Sequence, residues 1–247
     1  MTAQAIDVGF SEAARREVVQ VWDTLPEHPF VRGMADGSLP PQVYRHYVTQ
    51  NLLYLPHYAR AIAMAVAKAR DDDELRRYAD ALANIVDVEI PQNRRLLHRV
   101  RELCEEGSGR RADGSDDSDD SDDSAVMAAA TRNYTSYLLG VAARCDVVAI
   151  GAAILPCAWS YGEIARRHAS GVVEHPVYAE WFRFFAAPEY DALVVGMRER
   201  LDADVAPLPP VEVRRLARIF ADATRLEREF WDMAMEAAGP RSPGISG

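Results

Sequence analysis

Apolar residues recur along this chain at three- and four-residue spacings, and no stretch alternates apolar with polar at the period of a strand. The pattern predicts an all-α protein. Ser11 stands where a helix cap is wanted, so a first helix is read over 12–25 and ends at Pro26-Glu27-His28-Pro29-Phe30. Residues 33–39 read as a turn-rich connector. Pro40 and Pro41 suit the start of a second helix over 42–69, with Pro56 inside it. Asp71, Asp72 and Asp73 complement the positive end of a third helix over 73–106, which Pro91 kinks or divides. Helical spacing returns over 125–143 and 147–169, from Glu174-His175-Pro176 to 186, and over 188–201 and 211–238, with a proline-rich connector over 202–210. The whole is read as one domain over 1–247, with 239–247 as a flexible tail.

Residues 107–124 break this pattern. They read GSGRRADGSDDSDDSDDS, with Ala112 as the one apolar side chain. Such a segment cannot bury enough surface to offset its ordering entropy, so a disordered acidic insertion loop is expected. Its aspartates and two arginines leave it at −5, half of the chain's net charge of −10. The Ser-Asp-Asp repeat lacks the glycine and terminal glutamate of an EF-hand, which argues against a calcium loop. The remainder is only mildly acidic, so no nucleic-acid partner is expected.

The chain shows no uninterrupted apolar run long enough to span a membrane, and its N-terminus lacks the basic-then-apolar order of a signal peptide. Cys104, Cys145 and Cys157 are too few and too scattered for a disulfide framework or a zinc site. A cytoplasmic protein with no membrane partner is the expectation. There is no H-E-x-x-H, no E-x-x-H pair and no glycine-rich phosphate loop, so no metal or cofactor is expected.

Candidate chemistry gathers at a few polar groups on apolar faces. In Leu155-Pro156-Cys157-Ala158-Trp159-Ser160-Tyr161 a cysteine follows a proline inside a buried-looking helix. Proline removes one N–H and crowds the carbonyl of Ala152, so a kink is expected just before Cys157. Tyr161 shares the face of Cys157. A lone cysteine is nevertheless most often inert packing. Tyr47, Asn51, Tyr54 and Tyr58 share one face of the second helix. They form either a packing stripe with tyrosine tips at the surface or a polar-aromatic pocket wall. Glu227 falls within the apolar stripe of the last helix, where a carboxylate needs a partner. That partner is either a structural arginine or a ligand, and desolvation would raise its pKa. Tyr134 and Tyr137 lie one turn apart, and spacing does not choose between them.

These residues, in this order, resemble the TenA/thiaminase II family. The resemblance spans about 11–235. It rests on Glu27-His28-Pro29-Phe30 with Asp36-Gly37-Ser38-Leu39-Pro40, on Tyr47 through Leu55, and on Asn133-Tyr134-Thr135-Ser136-Tyr137. It continues in Leu155 through Tyr161, His175-Pro176-Val177-Tyr178, and Glu227 with Phe230-Trp231. It implies a haem-oxygenase-like helical bundle, a homotetramer, and hydrolysis of a small aminopyrimidine to the hydroxymethylpyrimidine in thiamin salvage, with cleavage of thiamin itself in some members. By motif, Cys157 matches the nucleophile and Glu227 the acid/base. Tyr54, Tyr134 and Tyr161 match the aromatic residues around the pyrimidine. Two positions depart from the pattern: Asn51 stands where the family has aspartate, and Phe185 where it often has tyrosine. Asn51 keeps the shape but carries no charge. The departures leave a second reading, a binding or regulatory protein that holds a pyrimidine without turnover. A haem-binding relative would need His28 or His57 as axial ligand.

Overall fold

The computed structural model describes residues 8–108 and 125–236, and no strand occurs among them. Most of the acidic segment, 109–124, and the expected tail, 239–247, lie outside the described residues. Eleven helices and one π-helical turn follow in order: α1 Phe10–Glu17, α2 Val19–Trp22, α3 Pro29–Asp36, α4 Pro41–Ala67, α5 Asp72–Asn84, the π turn Ile85–Glu89, α6 Ile90–Ser108, α7 Ala129–Arg144, α8 Val147–His168, α9 Tyr178–Phe185, α10 Pro188–Val205 and α11 Pro210–Glu236.

The arrangement is built around α8. This helix is apolar on nearly every side and therefore sits inside, packed on α4, α7, α9, α10 and α11. Among the described residues it is the one helix long and apolar enough to cross a membrane, and most of it is buried by its neighbours. Its N-terminus is capped by Asp146, which accepts from the Ala149 amide at 2.8 Å. On the other side α4 packs against α5, α6 and α7. The α4–α7 contact is fixed by Gln50. Its Oε1 accepts from the Ala128 amide (2.9 Å) and Thr131 Oγ1 (2.7 Å), and its Nε2 donates to the Val126 carbonyl (3.0 Å). Lys68, the chain's single lysine, closes the far end of α7 by donating to the carbonyls of Ala142 and Cys145, both at 2.6 Å.

The expected helices are present, with several corrected boundaries. The 12–25 helix is two pieces, α1 and α2, parted at Val18. Ser11 is not a cap. It lies inside α1, buried, and its Oγ donates to Asp202 Oδ2 at 3.1 Å. Residues 33–39 are not a connector throughout, because α3 runs to Asp36. Pro29 starts it, His28 Nδ1 caps the Phe30 amide, and Phe30, Val31 and Met34 are buried. Gly37 ends it in the left-handed region (φ 77°), where glycine is free of Cβ strain. The 125–143 helix starts only at Ala129, where Gln50 sets its first turn. The shorter helix begins at Tyr178 instead of at Glu174, after His175 Nδ1 has accepted from the Val177 and Tyr178 amides. The 202–210 connector is shorter than expected, because buried Val205 carries α10 further.

Two further differences bear on function. The third helix is divided by the π turn at Ile85–Glu89, ahead of Pro91 and not at it. Pro91 has no N–H for the carbonyl of Asp87, and widening the preceding turn accommodates that loss. Pro156, by contrast, leaves α8 a single helix from Val147 to His168. Two tyrosine hydroxyls steady its backbone beside the proline: Tyr58 donates to the Ile154 carbonyl and Tyr190 to the Ala158 carbonyl, both at 3.2 Å.

Candidate active site

Cys157 faces a small cavity enclosed by three long helices and their connections. From α8 come Ile154, Cys157, Ala158 and Tyr161, and from α4 come Asn51, Tyr54, Leu55 and Tyr58. Phe185 on α9, Tyr190 on α10 and Glu89 on the π turn close the remaining sides. The stripe read on α4 is a pocket wall in three of its four members. Its tips are not at the surface: all four residues are buried. Tyr47 alone stays off the cavity, with its hydroxyl between Tyr161 Oη (3.4 Å) and Trp181 Nε1 (3.3 Å) and its ring stacked on Trp231.

The cavity holds about 50 Å³, room for a few waters and too little for a pyrimidine ring. It shares Ala81, Asn84, Ile154, Tyr190, Leu193 and Met197 with a second cavity of about 690 Å³ between α5, α8 and α10. That volume is in the range of small-molecule sites. A ligand reaching Cys157 therefore displaces side chains on this shared wall, of which Leu193 is the most exposed.

Glu227 and Tyr134 do not line the small cavity. Glu227 is 1% exposed, and its Oε1 accepts from Tyr134 Oη at 2.7 Å. Its Oε2 has no partner with hydrogen-bond geometry. No arginine pairs with it among the described residues, so the structural ion pair that the sequence left open is not its role. Burial pushes the Glu227 carboxyl up to about 7, while Tyr134 and the nearby Cys157 thiol pull it back. Burial likewise raises the Cys157 thiol well above its ordinary value, and the Glu227 charge raises it further. Thiol and carboxyl thus form a coupled pair that holds one proton easily and gives up both reluctantly. Tyr54 packs its ring 5.0 Å from that of Tyr134, and its buried hydroxyl, beside the Cys157 thiol and the Tyr134 hydroxyl, has no partner with full hydrogen-bond geometry. A buried donor left unpaired is costly, and a ligand with ring nitrogens would satisfy it. Tyr161 and Phe185 meet edge to face at 5.0 Å, an aromatic corner beside the thiol.

The structure brings Cys157, Glu227, Asn51, Tyr54, Tyr134, Tyr161 and Phe185 into one neighbourhood. Of the two tyrosines that spacing could not separate, Tyr134 reaches Glu227, whereas Tyr137 donates to the Ile219 carbonyl at 3.3 Å. Asn51 does not touch the thiol. Its Nδ2 donates to Asn93 Oδ1 at 3.0 Å. His28 is spent on structure, with Nδ1 on the Phe30 amide and Nε2 3.0 Å from Asp232, and so offers no axial ligand. Sequence reasoning missed Glu89, Asn93 and Tyr190. Pro91 marks an interruption of this helix, but nothing in the linear pattern gives the wider turn that places Glu89 on the cavity wall.

An all-α bundle packed around a buried central helix has the haem-oxygenase-like fold. The TENA/THI-4/PQQC family model matches residues 15–237, and the chain belongs to that family. It is 32% identical over 229 residues to the aminopyrimidine aminohydrolase of Halalkalibacterium halodurans, covering 92% of this chain and 96% of the relative. Among solved structures, the TenA homologue from P. horikoshii OT3 aligns with a TM-score of 0.76 at 27% identity, over 93% of this chain and 100% of that one. A domain with a heme oxygenase-like fold from Shewanella denitrificans aligns at 0.68 and 15% identity over 94% of each, a likeness of fold alone.

The coupling of the pair has a direct readout. Alkylation of Cys157 by iodoacetamide near pH 8, followed by peptide mass mapping, is expected to be slow in the wild type. Glu227→Gln removes the negative charge that raises the thiol and should accelerate it. Equal rates in the two proteins would show that the carboxyl does not govern the thiol.

Proposed function

We propose that this protein hydrolyses a small aminopyrimidine, replacing the amine on its methylene carbon with hydroxyl, as its named relative does. The observation that carries the reading is the Cys157 thiol on the wall of an aromatic cavity with the buried Glu227 carboxyl beside it. The aminomethylpyrimidine of thiamin salvage is the substrate proposed, with thiamin itself as a bulkier one that the larger adjoining cavity would receive.

In this reading Cys157 is the nucleophile and Glu227 the acid/base. Glu227, as carboxylate, takes the thiol proton as sulfur bonds to the electron-poor ring. The neutral carboxyl then hydrogen-bonds a ring nitrogen. Electrons pushed into the ring leave with the C–N bond, and the amine departs. Water bonds to the methylene carbon and gives up a proton to the departed amine, the C–S bond breaks, and Glu227 returns its proton to the sulfur, restoring thiol and carboxylate. Burial favours this chemistry because the addition moves the localised carboxylate charge, which burial opposes, onto the ring, where it is delocalised. Tyr134 holds the carboxyl in place. Tyr54, Tyr161 and Phe185 sandwich the ring, and Asn51 acts from the wall.

The finer expectations, a homotetramer in the cytoplasm, belong to the same proposal. Cys104, Cys145 and Cys157 are all free, which fits a reducing compartment. Light scattering is expected to give about four times the 27.4 kDa chain mass; a monomer would contradict the assembly. Ammonia release from 4-amino-5-aminomethyl-2-methylpyrimidine is expected in the wild type, with a loss on the order of 10²-fold or more in Cys157→Ser. Equal rates would remove Cys157 from the mechanism. Tight binding with no product in the wild type would instead make this a pyrimidine-binding protein.

A further inference from the structure

One carboxylate on the cavity wall takes no part in the reaction just described. Glu89 closes the π turn, and its Oε1 accepts from Asn84 Nδ2 at 3.1 Å. Several carboxylates of this protein that are partly or fully buried have a cation: Glu74 has Arg70, Glu163 has Arg15, and Glu180 has Arg99. Glu89 has none among the described residues, although its surroundings are desolvated enough that burial alone lifts it to about 7. A desolvated carboxylate without a cation is unfavourable. Here it is nevertheless held in place by a dedicated set of bonds. Asn93 Nδ2 donates to the Glu89 carbonyl at 2.9 Å, and Asn93 Oδ1 in turn accepts from Asn51 on α4. The π turn, Asn93 and Asn51 thus act together to present Glu89 on the same wall as Cys157, Tyr58 and Tyr190. Those three groups sense its charge, and none is cationic.

We propose that Glu89 is a specificity-determining residue that receives the protonated amino group of the substrate, so that the site prefers pyrimidines whose leaving group is a primary ammonium over thiamin, whose thiazolium has no N–H to donate. The assignment rests on the aminopyrimidine reading above and adds to it the substrate's charge and the residue that reads it. An ammonium supplies the cation that Glu89 lacks, and a charge-assisted bond forms in a low-dielectric wall. When the C–N bond breaks, its electron pair goes to nitrogen and neutral ammonia leaves. The proton given up by the incoming water returns it to ammonium. Asn51 is a positioning residue in this account: it holds the turn and does not touch the thiol.

Binding to the Cys157→Ser protein, which keeps the pocket without turnover, separates the possibilities. Calorimetry at pH 8 compares 4-amino-5-aminomethyl-2-methylpyrimidine with its hydroxymethyl counterpart, which differs in lacking the cation. The aminomethyl ligand is expected to bind about ten-fold tighter, the scale of one charge-assisted hydrogen bond. Adding Glu89→Gln should abolish the preference while leaving the affinity for the hydroxymethyl ligand unchanged. A preference that survives Glu89→Gln, or is absent from the parent, overturns the proposal, as does a parallel loss of both affinities. Should Glu89→Gln not fold, the parent at pH 6 and pH 8 decides. The ligand amine stays protonated at both, so the preference should shrink at pH 6 as Glu89 is neutralised, and an equal preference overturns the assignment. If neither ligand binds the parent, the aminopyrimidine reading itself falls; if both bind equally, only the role of Glu89 does.

Discussion

The structure depends on one unfavourable arrangement: a buried carboxyl, Glu227, set beside the partly buried thiol that the apolar central helix turns to a cavity. Each group resists ionising because its surroundings are desolvated, and the thiol resists more while Glu227 is charged. Such a pair is tolerated only where the surrounding chain over-determines it. That is what α8 and its neighbours do. Tyr58 and Tyr190 tie down the carbonyls flanking Cys157, Tyr134 fixes one oxygen of Glu227, and Gln50 sets the start of the helix that carries Tyr134. The same interactions that close the core therefore set the reactive geometry. A merely structural cysteine would need neither a carboxyl beside it nor an unpaired tyrosine hydroxyl facing it.

Two cavities give that geometry its access. The small one beside Cys157 is nearly filled by side chains, and the larger one opens outward along α5 and α10. Their shared wall is made of Tyr190, Leu193, Met197 and short side chains, groups that change rotamer more readily than the backbone moves. A closed inner pocket also keeps bulk water from the thiol until a ligand brings it into use.

Much of this was legible in the sequence because helical periodicity and proline punctuation are local signals. The long helices α4, α8 and α11 and the central position of α8 follow from apolar spacing alone. Cys157 and Glu227 stood out as polar groups on apolar faces, and the motif order joined them. Errors fell where tertiary contacts decide. Ser11 has the chemistry of a cap but is bonded to a distant aspartate, and α7 starts where Gln50, remote in sequence, places its first amides. The π turn is the deepest miss. One extra residue in a helical turn rotates everything after it, so reading faces through 85–93 at a fixed period points Glu89 and Asn93 the wrong way. Asn51 was seen as a lost charge, whereas in the structure its amide bonds Asn93, which in turn bonds the backbone carbonyl of Glu89.

The central claim is that Glu227 moves the proton of Cys157, and the pH dependence of kcat tests it most directly, since kcat reports groups that titrate in the bound complex. The account predicts that kcat for the aminomethylpyrimidine rises through neutral pH as Glu227 becomes able to accept the thiol proton, and that Glu227→Gln lowers kcat and flattens that rise. An unchanged rise in Glu227→Gln would contradict it.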